Sequence, residues 1–115
     1  MEYNLEERTV KFSENIIDLL KSIRLNSINK SIVSQLVRSA TSVGANYCEA
    51  NGASSKKDFK NKIHICKKEM KETKYWLQLL VKTNNGKKKE IRDLWKEAQE
   101  LTLIFSKIII TMNKK

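Results

Sequence analysis

Proline is absent from this chain and glycine occurs only three times in 115 residues, so little in it forces a helix to break. Histidine occurs once, as His64, with no cysteine or carboxylate at metal-ligand spacing beside it. The two cysteines, Cys48 and Cys66, stand alone instead of in a CxxC pair; buried, reduced thiols are expected, with neither disulfide nor metal. No run of about 18 apolar residues is present. The most apolar stretch, LTLIFSKIII at 101–110, contains Lys107, so no membrane span is expected. The opening MEYNLEERTVKF carries acids where a secretory signal would place a basic and then an apolar region, which makes the cytoplasm the expected location.

Catalytic signatures are missing as well. Neither a GxxxxGK[ST] loop nor a GxSxG elbow occurs. A bundle ribonuclease would want an arginine a few residues before its histidine, but His64 follows Lys60-Asn-Lys-Ile63. Glu69 and Glu72 can share a helix face, yet carboxylate-bridged bundle metals need a Glu-x-x-His from more than one helix, and none is found. The expectation is a non-enzyme, with no cofactor, metal or small-molecule substrate.

What is present is apolar periodicity. Four segments alternate apolar residues at spacings of three and four: Leu5, Thr9, Phe12, Ile16, Leu19, Ile23; Val33, Leu36, Ala40, Val43, Tyr47, Ala50; Phe59, Ile63, Cys66, Met70, Thr73, Leu77, Leu80; and Ile91, Leu94, Ala98, Leu101, Phe105, Ile108, Met112. That seven-residue repeat belongs to helices packed in a bundle. LNSINK reads as the first loop. Asn51-Gly52 reads as a left-handed helix stop, Ser55-Lys-Lys-Asp58 as a cap, and Thr83-Asn-Asn-Gly86 as a turn. The prediction is a single all-α domain over residues 1–115, an antiparallel up-down-up-down four-helix bundle with helices near 3–24, 29–50, 55–82 and 88–112.

Charge is distributed unevenly. The net charge is +10, but residues 1–50 hold six basic and six acidic groups, so residues 51–115 carry the whole excess. Between Ser55 and Lys89 twelve lysines face three acids. On the third segment Lys60, His64, Lys67, Lys71, Lys74 and Gln78 fall one position after the core stripe and form a basic row. A face that merely aids solubility usually interleaves both signs, so this row, with Lys56, Lys57, the Lys87-Lys88-Lys89 cluster and Arg92, is a candidate for contacting nucleic-acid phosphates with little base reading. A solvated face is the plainer alternative. One position before the stripe lie Lys62, Ile65, Glu69, Glu72, Trp76 and Leu79, and apolar residues beside the stripes of the first and fourth segments (Ile17, Leu20, Ile104, Ile109, Ile110) add to them. Either a wide core or a contact between copies explains these, and a homo-oligomer is expected.

Ser39, Ala40, Ser42, Gly44 and Ala45 mark a place where the second helix lets a neighbour come close; Asn46 and Glu49 are expected to make polar contacts with Arg38 or the third helix. The motifs Gln35-Leu-Val-Arg-Ser-Ala-Thr-Ser-Val-Gly-Ala-Asn46, Glu49-Ala50, Ser55-Lys-Lys-Asp-Phe59, Lys68-Glu69 and Glu72-Thr73 with Tyr75-Trp76-Leu77 resemble the four-helix bundle proteins named after the 23S ribosomal RNA intervening sequence. The chain departs from the commoner family pattern at Tyr47-Cys48. The resemblance implies a bacterial, ring-like homopentamer. It also implies kinship with accessory variability determinant proteins of diversity-generating retroelements, which are basic pentamers that bind nucleic acid and a reverse transcriptase. Two functions remain: an accessory protein on nucleic-acid backbone, RNA or DNA, or a scaffold docking a partner protein such as a reverse transcriptase.

Overall fold

The apolar stripes close into one core. In the computed structural model, which describes residues 4–83 and 85–114, the chain forms α1 (Leu5–Lys21), α2 (Lys30–Asn51), α3 (Lys56–Thr83) and α4 (Lys88–Asn113), with one 3₁₀ turn at Asn85–Lys87. Helix α2 packs on α1 and α3, α3 packs on α2 and α4, and a lighter contact between α1 and α4 closes the ring. Contacts run in opposite senses along neighbouring helices: Glu49 pairs with Lys62 while Arg38, earlier in α2, pairs with Glu69, later in α3, and Lys60 bonds Asn113 while Lys74, later in α3, bonds Gln99, earlier in α4. The neighbours are therefore antiparallel, in a rod of 49 × 21 × 20 Å.

Every stripe residue on α1 is buried, as is Ile23 just beyond it. Phe12, Ile16, Leu36, Ile63, Met70, Leu77, Leu101 and Phe105 are among the largest side chains fully removed from water. The stripes loosen only toward the ends, where Val33, Tyr47, Phe59 and Ile108 are half-buried.

The connections need no proline. Helix α1 stops at Lys21, short of the expected 24, because the Ser22 backbone N–H (3.0 Å) and hydroxyl (2.6 Å) both donate to the Leu19 carbonyl. The expected start at residue 3 lies outside the described residues. Two asparagines then shape the loop. Asn26 Oδ1 accepts from the Ile28 and Asn29 backbone N–H groups at 2.8 Å each. Asn29 Oδ1 accepts from Asn26 N at 2.9 Å, and its Nδ2 donates to the Arg24 carbonyl at 3.1 Å. Asn29 is only 1% exposed, so each side supplies the polar partners the other needs.

At the end of α2 the expected left-handed turn is absent. Gly52 has φ −100° and ψ 13°; its N–H donates to the Glu49 carbonyl at 3.1 Å and the Ala53 N–H to the Ala50 carbonyl at 3.0 Å, a geometry that needs no positive φ. The Ser55 cap is present: the Asp58 N–H donates to Ser55 Oγ at 3.0 Å, beside an acid in the first turn of α3. Asn84, within the expected Thr83–Gly86 turn, lies outside the described residues.

The apolar surplus of α4 is largely consumed inside the bundle. Ile104, Phe105 and Ile109 are buried and Ile108 is half-buried, so a contact between copies is not needed to explain them. Leu103 (58% exposed) and Ile110 (57% exposed) remain outside, as do Val10 and Ile17 on α1.

Candidate nucleic-acid interface

The 3.6-residue period turns one flank of α3 toward α2 and the other toward α4. The flank toward α2 is a polar seam. Arg38 donates to Glu69 Oε1 at 3.3 Å and also bonds Glu72, while Trp76 Nε1 donates to the same Glu72 oxygen at 3.0 Å. Glu69 is only 8% exposed, and the pairing with Arg38 offsets the cost of burying its carboxylate. Trp76 and Arg38 together hold the Glu72 carboxyl below its usual range, and Glu72 first raises the already high Arg38 value. Lys62 pairs with Glu49 at 2.7 Å. The contact expected of Glu49 with the third helix is therefore present. Asn46 instead donates within its own helix, to the Ser42 carbonyl (2.9 Å) and hydroxyl (3.0 Å). Ile65 is half-buried on the same flank.

The flank toward α4 carries the lysine row. Lys60 bonds Asn113; Lys74 bonds Gln99 and sits 5.4 Å from the centre of the Trp95 ring. Lys67 is half-buried, while Lys71 and His64 are exposed. Burial first, and the nearby Lys71 charge second, lower the Lys74 ammonium from its ordinary value. Two cations held close together in this way favour an anionic partner.

Among the described residues the acids of α3 and α4 face away from this groove. On α4, Glu90, Asp93, Glu97 and Glu100 recur at spacings of three and four and turn toward α1. Glu90, Asp93 and Glu97 line the cleft between α1 and α4 with Arg8, Lys11 and Asn15. There Arg8 makes a two-pronged pair with Glu97 at 3.1 and 2.8 Å and reaches Glu100 at 2.9 Å. On α3, Glu69 and Glu72 face α2, and Asp58 sits at the capped start. Thus the α3–α4 groove, from Lys60 to Arg92, is lined by cations and neutral groups.

The candidate cations do not all share it. Lys60, Lys67, Lys71 and Lys74 form the row, and Lys88 and Arg92 continue it across α4. Lys87, at the end of the 3₁₀ turn, and Lys89 turn to acids of α4, Glu90 (3.9 Å) and Asp93 (3.1 Å). Lys56 and Lys57 are exposed in the first turn of α3, at the opposite end from Lys88.

Near the α3–α4 turn the groove deepens into a cavity of about 290 Å³. Leu77, Val81, Ile91 and Trp95 make its walls, with Gln78, Lys88 and Arg92 as its polar members. Trp95 Nε1 is buried without a hydrogen-bond partner among the described residues. Trp95 and Gln99 escaped the sequence reading. Spacing sets both beside the α4 stripe, but which flank of that stripe meets α3 is fixed by how α4 is rotated in the bundle.

No group of three or more potential metal ligands occurs among the described residues. Nor is any helix among them long and apolar enough to cross a membrane.

Fold and surface define a small all-helical bundle with its charge sorted by face. Residues 2–107 match the 23S rRNA-intervening sequence protein family, and the chain belongs to that family. It is also similar to a solved structure from Bacteroides thetaiotaomicron, a protein of unknown function from the S23 ribosomal protein family. Identity there is 32%, the TM-score is 0.79, and the match covers 90% of this chain and 96% of that one. No protein of curated function matches.

Proposed function

We propose that the protein is an accessory factor that binds nucleic-acid backbone through the α3–α4 groove. The observation that carries this reading is the partition of charge. The acids of the basic half turn toward α1 and α2, leaving Lys60, Lys67, Lys71, Lys74, Lys88 and Arg92 on one groove. Lysines one to two turns apart along a straight helix offer point charges to successive phosphates and carry no base-specific geometry. Lys60 to Lys74 spans about 20 Å at 1.5 Å per residue. At about 3.4 Å per phosphate on one strand, that length faces roughly six phosphates. The family's name, taken from an insertion in ribosomal RNA, is consistent with an RNA partner.

The test is retention of labelled RNA and DNA on a filter as salt rises. The expected result is tight retention at low salt that falls steeply and log-linearly. Absence of retention at low salt would contradict the reading.

Self-association is part of the same proposal. Val10 and Ile17 on α1, and Leu103 and Ile110 on α4, each stand seven residues apart as exposed apolar pairs, a repeat suited to a further helix contact. A ring of copies, five in the form implied by the family resemblance, would set several grooves around one axis and multiply the effective affinity for a long strand. Light scattering that returns the mass of one chain would overturn this part.

A further inference from the structure

The cavity beside Trp95 has a chemistry that phosphate binding alone does not use. Its walls are apolar and aromatic, formed by Leu77, Val81, Ile91 and Trp95, and a sugar-phosphate backbone would leave them unfilled. Lys88 and Arg92 stand at the same cavity, where α4 begins at Lys88 and its N-terminal dipole adds to their charge. Gln78 adds an amide that can both donate and accept. Lys74, 5.4 Å from the Trp95 ring, connects the cavity to the lysine row. The cleft between α1 and α4 differs in kind: its cations face Glu90, Asp93 and Glu97, which would repel a phosphate.

We propose that this cavity takes one unstacked base of a single-stranded nucleic acid, packed against Trp95, with the adjoining phosphates on Lys88 and Arg92. The inference rests on the nucleic-acid reading above and narrows its ligand to strands with unpaired bases. At about 290 Å³ the cavity lies at the small end of ligand pockets, with room for one base. Packing a base on an aromatic side chain is tolerant of sequence, because every base presents a flat π-face.

The test compares an oligouridylate of about twelve nucleotides with an RNA duplex of the same strand length, at one salt concentration, for the full chain and two variants. Trp95→Leu keeps an apolar wall but removes the ring; Val81→Met fills the cavity from its half-buried side and leaves the indole in place. Each is expected to weaken single-strand binding about tenfold, the scale of one lost base contact, and to change duplex binding by less than about twofold. If the single strand and the duplex bind equally well and neither variant separates them, the base pocket is refuted while the phosphate groove stands. If neither ligand is retained at low salt, both proposals fall together.

Discussion

Gly44 shows how much a single residue's environment decides. A Cβ built there would meet Thr9 at 3.5 Å, ordinary van der Waals contact, so the small-residue stretch does seat a neighbouring helix, but glycine itself is not sterically demanded. Gly44→Ala should therefore be neutral or raise stability by up to about 1 kcal/mol through helix propensity, whereas Gly44→Leu should lower the melting temperature because its branches have no room against α1. Thermal unfolding of both variants decides it; a destabilised alanine variant would mean that α1 lies closer than described. Glu72 carries a second residue-scale prediction. Its folded value lies below the ordinary 4.5, so its contribution is fully present above pH 4.5 and is lost as pH falls through the lower folded value. Glu72→Gln should lower stability at neutral pH and reduce the loss of stability on acidification below pH 4.5. Parallel pH profiles for the two proteins would show that the Arg38–Glu72–Trp76 seam contributes nothing.

The helices differ in how they are held. Helix α3 is the longest and lies between the two most extensive packing contacts, with α2 and α4. Helix α1 leans chiefly on α2 and reaches α4 through a lighter contact that includes Arg8 with Glu97 and Glu100. Native-state amide exchange should accordingly protect the centre of α3 most and release α1 first; equal protection would contradict this order. The four helices were legible in the sequence because a three-four stripe is the direct signature of one buried helix face. Residues such as Phe12, Leu36, Met70 and Leu101 were placed correctly by spacing alone. The helix ends were less legible, because they depend on local hydrogen bonds rather than on period. Ser22 ends α1 early, Gly52 stops α2 without a positive φ, and the loop read at LNSINK is held by Asn26 and Asn29 hydrogen bonds that period does not reveal. The surplus of isoleucine on α4 left a wide core and a contact between copies both open, because spacing does not set how wide a stripe the bundle buries; it buries Ile104 and Ile109 on either side of Phe105.

At the scale of the whole molecule, the +10 charge becomes informative only when sorted by face. The lysine row on α3 was visible in the sequence, and so was the three-four spacing of Glu90, Asp93, Glu97 and Glu100. What spacing could not show is that this acidic face turns to Arg8 and away from the lysines; that depends on how α4 is rotated against α1. The same rotation brings Trp95 beneath Lys74 and separates Lys88 from Lys87 and Lys89. The central claim is therefore about where the charge lies, and it is tested by removing the same number of charges from two different places. Two variants each lose four positive charges: Lys60, Lys67, Lys71 and Lys74→Gln in the groove, and Lys11, Lys21, Lys30 and Lys107→Gln elsewhere on the exposed surface. The measurement is the slope of log affinity for single-stranded RNA against log salt. The groove variant should bind weakly, with a slope flatter by about 3, and the control should stay near the parent. Equal slopes for the two variants would show that binding follows net charge alone and would contradict the groove.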